Sequence, residues 1–206
     1  MVSASAASVS VFLLLLLLLR SLMGPVMAEV YFSSLPRNLI VSASPKPGQV
    51  LEAGIDNITI TWGVNQSLPP NTDAAYKKVK VRLCYAPKSQ ADRGWRKTND
   101  DLKKDKTCQF GITEQPYSEV NSTFVYSVER NIPTATYFIR VYAVDSSGAV
   151  VAYGQTTDAK KKADLFDVVG ISGRHASLDV AAACFSAFSV FSLVFFFVLE
   201  RKKNKK

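Results

Sequence analysis

Histidine is almost absent from this 206-residue chain: the single copy, His175, stands just before the C-terminal apolar run. Without a second imidazole, neither a multi-histidine metal site nor an ordinary Ser–His arrangement can be assembled. Carboxylate-only chemistry stays formally open, but the aspartates sit among lysines, which favour plain ionisation over a raised pKa. Cysteine is sparse too, with three copies at Cys84, Cys108 and Cys184. No internal repeat is evident, and long uncharged runs are missing except at the two ends. Nor is there a basic surplus suited to nucleic acid. The net charge of +8 comes partly from the C-terminal tail, since residues 29–176 hold nineteen Lys and Arg against fifteen Asp and Glu.

The two apolar ends read differently. Residues 9–19, VSVFLLLLLLL, are too short to span a bilayer, and Val26-Met27-Ala28 offers small residues at cleavage spacing, so 1–28 reads as a signal peptide. A short buried helix is the alternative, and the leader lacks a basic n-region. Residues 180–199 form a twenty-residue uncharged run, enough for about 30 Å of helix, and read as a transmembrane helix. The basic tail 200–206, ERKKNKK, follows and predicts a cytoplasmic C-terminus, hence a type I single-pass protein. Its presence argues against a removed lipid-anchor signal, which ends in its hydrophobic tail.

The part between is an ectodomain in an oxidising compartment, where Cys84 and Cys108 are expected to pair. Cys184 falls inside the span. Three acceptor sequons begin at Asn57, Asn65 and Asn121. Alternating segments predict seven strands: NLIVSAS, NITITW, KVKVRLCY, TCQFGI, STFVYSVE, ATYFIRVYAV and AVVAYGQTT, separated by turn signals such as SPKPG, LPPN and DSSG. This is an all-β, immunoglobulin-like sandwich of the fibronectin type III sort, with Trp62 in the core and Tyr137 as the corner tyrosine. The expected divisions are a sandwich over 29–157, a juxtamembrane linker over 158–179, the span and the tail.

Alternation places Val79, Val81, Leu83 and Tyr85 inward. Lys78, Lys80, Arg82 and Cys84 then point outward, beside Phe138, Arg140, Tyr142 and Val144 of a neighbouring strand. Two aromatics among cations on an outward face mark either an interface or a surface that the loop 86–106 covers. The stretch CYAPKSQADRGWRKTNDDLKKDKTC sets seven cations against four anions between its cysteines. Within it, Thr98-Asn99-Asp100-Asp101 fits a capping box, predicting a short helix over 99–106 with an Asp100–Lys104 pair. Asp105 does not suit that helix. It lies near the negative end and four residues from Asp101, and so reads as either a partnered carboxylate or a solvated one. Trp95 either anchors a contact or caps the sandwich.

These residues, with SPKPGQVLEAG, ITITWGVNQS and ISGRHASLDVAAACFSAFSVFSL, closely resemble the plant high-affinity nitrate transporter-activating proteins, accessory subunits of a two-component uptake system. The resemblance runs from leader to tail. It implies a protein that moves no ion itself but binds a polytopic high-affinity nitrate transporter at the plasma membrane and is needed for its accumulation and uptake. It also implies that the bridged loop serves this partnership, with Arg96 and Asp105 at matching positions. Trp95 beside them, and a second surface of Lys78, Lys80, Arg82, Phe138 and Tyr142, complete the expected partner-binding set. No cofactor is implied. A single span cannot enclose a polar pore. Its small residues Ala182, Ser186 and Ser189 permit close helix packing in lipid, with the transporter or as a homo-oligomer. The rival reading is a cell-surface adhesion or ligand-binding ectodomain.

Overall fold

The computed structural model describes residues 29–203. The signal peptide read at 1–28 and the last three tail residues lie outside them. Among the described residues, nine strands form two packed sheets. The smaller sheet has the order β1-β3-β6, from β1 (Leu39–Ala43), β3 (Asn57–Val64) and β6 (Ser122–Ser127). The larger follows β2-β9-β7-β4-β5, from β2 (Val50–Glu52), β9 (Phe166–Val169), β7 (Ala135–Val144), β4 (Lys78–Tyr85) and β5 (Phe110–Pro116). Strand β8 (Val150–Gln155) also pairs with β7.

The core between the sheets is made by alternation. Ile58, Ile60 and Trp62 of β3 meet Val79, Val81, Leu83 and Tyr85 of β4 and Tyr137, Ile139, Val141 and Ala143 of β7. At the corner, Tyr137 Oη donates to the Pro133 carbonyl at 2.6 Å, satisfying a hydroxyl that burial would otherwise orphan.

Strand β7 differs from the others because nine of its ten residues are buried. A strand with both faces buried needs cover on its second side. That cover comes from the loop 86–109 and from residues 30–36. Phe138 and Tyr142, expected as outward partner contacts, are therefore interior, at 0% and 8% exposure. Of the two readings left open by the sequence, the covering loop is the one the fold adopts.

Two strands have no counterpart in the sequence reading, and one is displaced. Three-residue β2 and four-residue β9 pair in parallel, and β9 also pairs with β7 from Ala135↔Val168 to Tyr137↔Phe166. Strands β8 and β9 thus share one edge of β7 in succession, separated by a detour over residues 156–165. The sandwich therefore extends past residue 157, and 158–169 is not linker. Such short strands carry too few residues to show a period of two. Strand β5 begins at Phe110 rather than near Thr107, because Thr107 is committed to the loop. The C-terminal helix α1 covers Ala176–Lys203, twenty-eight residues that are long and apolar enough to cross a membrane. Among the described residues, the chain is a β-sandwich followed by one helix long and apolar enough to cross a membrane.

Sheet closure depends on Gly154. A Cβ there would lie 2.7 Å from Leu39 Cβ and closer still to the Leu39 carbonyl, so β1 passes directly over β8 only because no side chain intervenes. Gly154→Ala is expected to destabilise the ectodomain by about 1–3 kcal/mol through overpacking, read as a lower denaturation midpoint at unchanged slope.

Candidate functional site: the bridged loop and the arginine beneath it

Strand β4 ends at Tyr85, and the chain does not re-enter the sheet until Phe110. Cys84 in β4 and Cys108, two residues before β5, close this excursion with a disulfide, their Cα atoms 4.0 Å apart. The bridge ties loop to sheet surface and leaves the core between the sheets untouched. The loop's first part is sewn to the start of β7. Ala86 N–H donates to the Thr136 carbonyl, and Thr136 N–H donates to Ser89 Oγ. Gln90 then gathers three segments, donating to the Tyr85 carbonyl and accepting from the N–H and hydroxyl of Thr98.

No helix forms over 99–106. Asp101 Oδ1 accepts Lys103 N–H, and the Asp101 carbonyl accepts the amides of Lys104 and Asp105, which closes one turn only. Helix propagation fails because neighbouring groups are bonded elsewhere. Phe32 N–H donates to the Asp100 carbonyl, and Leu102 N–H to that of Val30. The Asp100 carboxylate is held by Ser33 through its N–H and hydroxyl, at 2.8 and 2.7 Å. The ion pair on this turn is Lys104–Asp101, at 2.7 Å, in place of Asp100–Lys104.

Asp105 is the partnered carboxylate. Its side chain is 5% exposed, and Oδ1 accepts from the amides of Asn99 and Thr107 and from the Thr107 hydroxyl. Oδ2 lies 4.0 Å from Nη1 of Arg140. Arg140 is 1% exposed and is the hub of this layer. Its Nε and Nη2 both donate to Gln155 Oε1, at 3.1 and 3.0 Å, and Nη1 donates to Tyr142 Oη at 3.1 Å. The guanidinium carbon stands 4.2 Å from the centre of the Phe32 ring and 5.2 Å from that of Phe138. A buried cation needs both hydrogen bonds and countercharge, and aromatic faces supply part of the latter. Burial also raises the pKa of Tyr142, and lowers that of Lys161, whose Nζ approaches the other residues of this layer at 5.7 Å from the Phe32 ring.

Arg96 turns inward as well. It is 6% exposed, with its guanidinium carbon 4.2 Å from the centre of the Tyr85 ring and Nη1 donating to the Ser89 carbonyl at 3.4 Å. Its Nε has no hydrogen-bond partner among the described residues. Arg96 therefore caps the end of the core, a place considered for Trp95, whereas Trp95 is 60% exposed at the loop's tip. Lys78 is exposed, while Lys80 and Arg82 are partly covered and share Glu114, each 3.6 Å from its Oε1. Asn57 and Asn121 are exposed, and Asn65 is half-buried with its Oδ1 accepting Ser67 N–H.

Sequence reasoning missed the hub that Arg140 forms with Phe32, Gln155 and Tyr153, whose ring centre stands 4.5 Å from that of Phe32 and 6.0 Å from the guanidinium carbon. One signal was available: Arg140 is the lone charge in the ten-residue apolar strand ATYFIRVYAV.

Arg140→Met is expected to cost about 3–5 kcal/mol in chemical denaturation, because it strands buried acceptors and the Asp105 carboxylate. Trp95→Ala is expected to cost under about 0.5 kcal/mol. Asp101 supplies a pH test, since its carboxyl is held below the usual range, first by the Lys104 hydrogen bond and then by the Lys103 amide. A depressed folded value stabilises above the unfolded one and is lost as pH falls through the folded value. Protection from hydrogen exchange at 99–105, relative to the unstructured rate at the same pH, is therefore expected to fall below about pH 4, before that of β7.

Residues 32–173 match the NAR2 family, described as high-affinity nitrate transporter accessory, Ig-like domain. The chain is 56% identical over 179 residues to a rice (Oryza sativa subsp. japonica) protein named high-affinity nitrate transporter-activating protein 2.1, covering 86% of this chain and 84% of that one. It is 55% identical over 159 residues to the Arabidopsis thaliana protein named high-affinity nitrate transporter 3.1, covering 77% and 75%. A domain match over the whole sandwich, together with identities above half, makes this chain a member of the high-affinity nitrate transporter accessory family.

Proposed function

We propose that the chain is a non-transporting, non-catalytic accessory subunit that binds and activates or stabilises a polytopic high-affinity nitrate transporter. Membership of the accessory family carries this reading. The architecture suits it: the one membrane-length apolar helix among the described residues cannot by itself enclose a polar pore, and in this reading ion passage belongs to the partner. In this reading the protein is type I at the plasma membrane, with the leader 1–28 removed, the sandwich outside and the basic tail inside. Sugars at Asn57 and Asn121 fit the exposure of those side chains. An adhesion ectodomain would need no membrane partner, and no observation favours it.

The bridged loop is the recognition element in this proposal, but its residues divide the work. Arg96 and Asp105 are buried among loop and sheet groups, so they hold the loop in shape. Trp95 and the exposed cations Lys88, Arg93 and Lys97 present the surface that a partner meets. Aromatic residues and arginine are enriched among residues that dominate binding energy. A loop pinned by a disulfide and by Asp105 loses less entropy when it docks. Asp105 keeps one approach from outside, a cleft of about 250 Å³ that Lys80, Arg82 and Tyr142 also line.

The test is anion uptake in a host expressing the chain alone, the transporter alone, or both, with wild type and variants. Uptake is expected only with both. Trp95→Ala is expected to weaken co-purification of the transporter about tenfold or more, with the melting curve unchanged. Asp105→Asn is expected to lower stability by about 1–3 kcal/mol and to impair the complex through the loop. If Asp105→Asn instead melts like wild type yet fails to bind, the carboxylate itself touches the partner. Full uptake with the chain omitted would remove the accessory reading.

A further inference from the structure

The helix leaves the sandwich at one defined end. The carbonyl of Val169, the last residue of β9, accepts Ala53 N–H at 3.0 Å, Gly54 N–H donates to the Val128 carbonyl, and Gly170 N–H donates to Thr134 Oγ1. The turn 53–56, the connection 128–134 and the exit 169–171 are thereby stitched into a single surface. Gly170 fits there only as glycine, since a Cβ would lie 2.8 Å from the Ile132 carbonyl oxygen. This surface exposes large apolar side chains: Ile55 at 71%, Ile171 at 60% and Val169 at 46%. Arg130 lies across the turn, its stem over Gly54, and is itself exposed.

Chain length limits what can face this end. Helix α1 starts at Ala176, and Arg174 folds back onto its first turn, holding Asp179 Oδ1 through Nε and Nη2 at 3.0 Å each. Residues 171–175 form the connection, which reaches at most about 18 Å. The apolar run begins at Val180, immediately after Asp179. The interfacial layer between hydrocarbon and water is itself about 5–7 Å deep on each side. The tether therefore keeps the end of the sandwich that carries Val169, Ile171 and the Ile55 turn close to the bilayer.

We propose that this end of the sandwich is a lipid seat, in which Ile55, Val169 and Ile171 enter the headgroup layer and Arg130 pairs with lipid phosphate. Apolar side chains beside a cation are what an interfacial contact requires. The occupant is the bilayer of the chain's own helix. This goes beyond the accessory reading and does not rest on it. The seat restricts the tilt of the domain. The loop 86–109 leaves β4 at the same end, since Tyr85 pairs with Tyr137 and Tyr137 in turn with Phe166. A seated domain thus holds Trp95 near the level at which an embedded partner emerges.

The experiment uses the full chain with Cys184→Ser, so that a single introduced cysteine at position 55, 171 or 120 carries an environment-sensitive fluorophore. Val120 is 75% exposed in the β5–β6 connection, at the opposite end, and serves as the control. The protein is placed in phosphatidylcholine nanodiscs containing a nitroxide at the headgroup, with no other protein present. Quenching at 55 is expected to be roughly threefold or more that at 120, with 171 quenched at least as strongly as 55, because only the seated end meets the interfacial layer. Equal, weak quenching at 55 and 120, with unchanged melting curves, overturns the seat. Shielding at 55 that appears only when the transporter is added also overturns it, and assigns the surface to a protein contact. Neither result bears on whether the chain supports uptake, which the expression experiment decides separately.

Discussion

A guanidinium held out of water organises one half of this protein. Arg140 stands in the middle of β7 with 1% of its surface exposed, and every group around it serves to make that burial tolerable. Gln155 on the neighbouring strand accepts two of its hydrogen bonds, Tyr142 accepts a third, and Phe32 offers its ring face. Removing a charge from water costs several kcal/mol unless partners replace the solvent. The loop 86–109 and the segment around Phe32 supply these partners, and in doing so they cover the second face of the larger sheet.

That arrangement explains how so charged a loop can be ordered. Three of its four anions are consumed internally, Asp100 by Ser33, Asp101 by Lys104 and by backbone amides, and Asp105 by Asn99, Thr107 and Arg140, while Asp92 is exposed. Among its cations, Arg96 lies over the Tyr85 ring, while Lys88 pairs with Asp167 at 3.5 Å from a largely exposed position. The outer surface of the loop is consequently richer in positive charge than its composition, and Trp95 is its large exposed aromatic. The disulfide and the carboxylates work inward so that this surface can be presented as a fixed shape. Recognition and stability are thereby coupled, because a change at Asp105 or Arg140 acts on both.

The smaller sheet and the central strands of the larger were legible from alternation. One side of each faces a core, so period two survives in NITITW and KVKVRLCY, and Tyr137 found its corner partner. Strand β7 broke that rule. It is buried on both faces, so alternation alone could sort its residues into two sides but could not say that the second side was covered. Phe138 and Tyr142 lie on the expected face, and of the two environments that the sequence leaves open for it, a partner contact or cover by the loop, the fold takes the cover. The Asn99–Lys106 helix failed for a related reason: local capping signals were present, but the Asp100 and Leu102 backbone groups pair with residues about seventy positions earlier, and no local rule sees them.

By itself the sequence determined what depends on composition, period and run length: a two-sheet β-sandwich, a helix able to cross a membrane, a charged loop between two cysteines, and the family to which these belong. Each follows from near-neighbour pattern or from direct similarity, and neither requires knowing which distant segments meet. Tertiary structure alone decided which charges face water. Arg96 and Asp105 carry no sequence mark that separates them from solvated residues, and Arg140 only its place as the lone charge of β7; they are interior because the Tyr85 ring lies against Arg96, Arg140 of β7 faces Asp105, and Phe32 closes over Arg140. Desolvation is a property of the assembled neighbourhood, so the division of the loop into an inward scaffold and an outward surface exists only once the chain has folded.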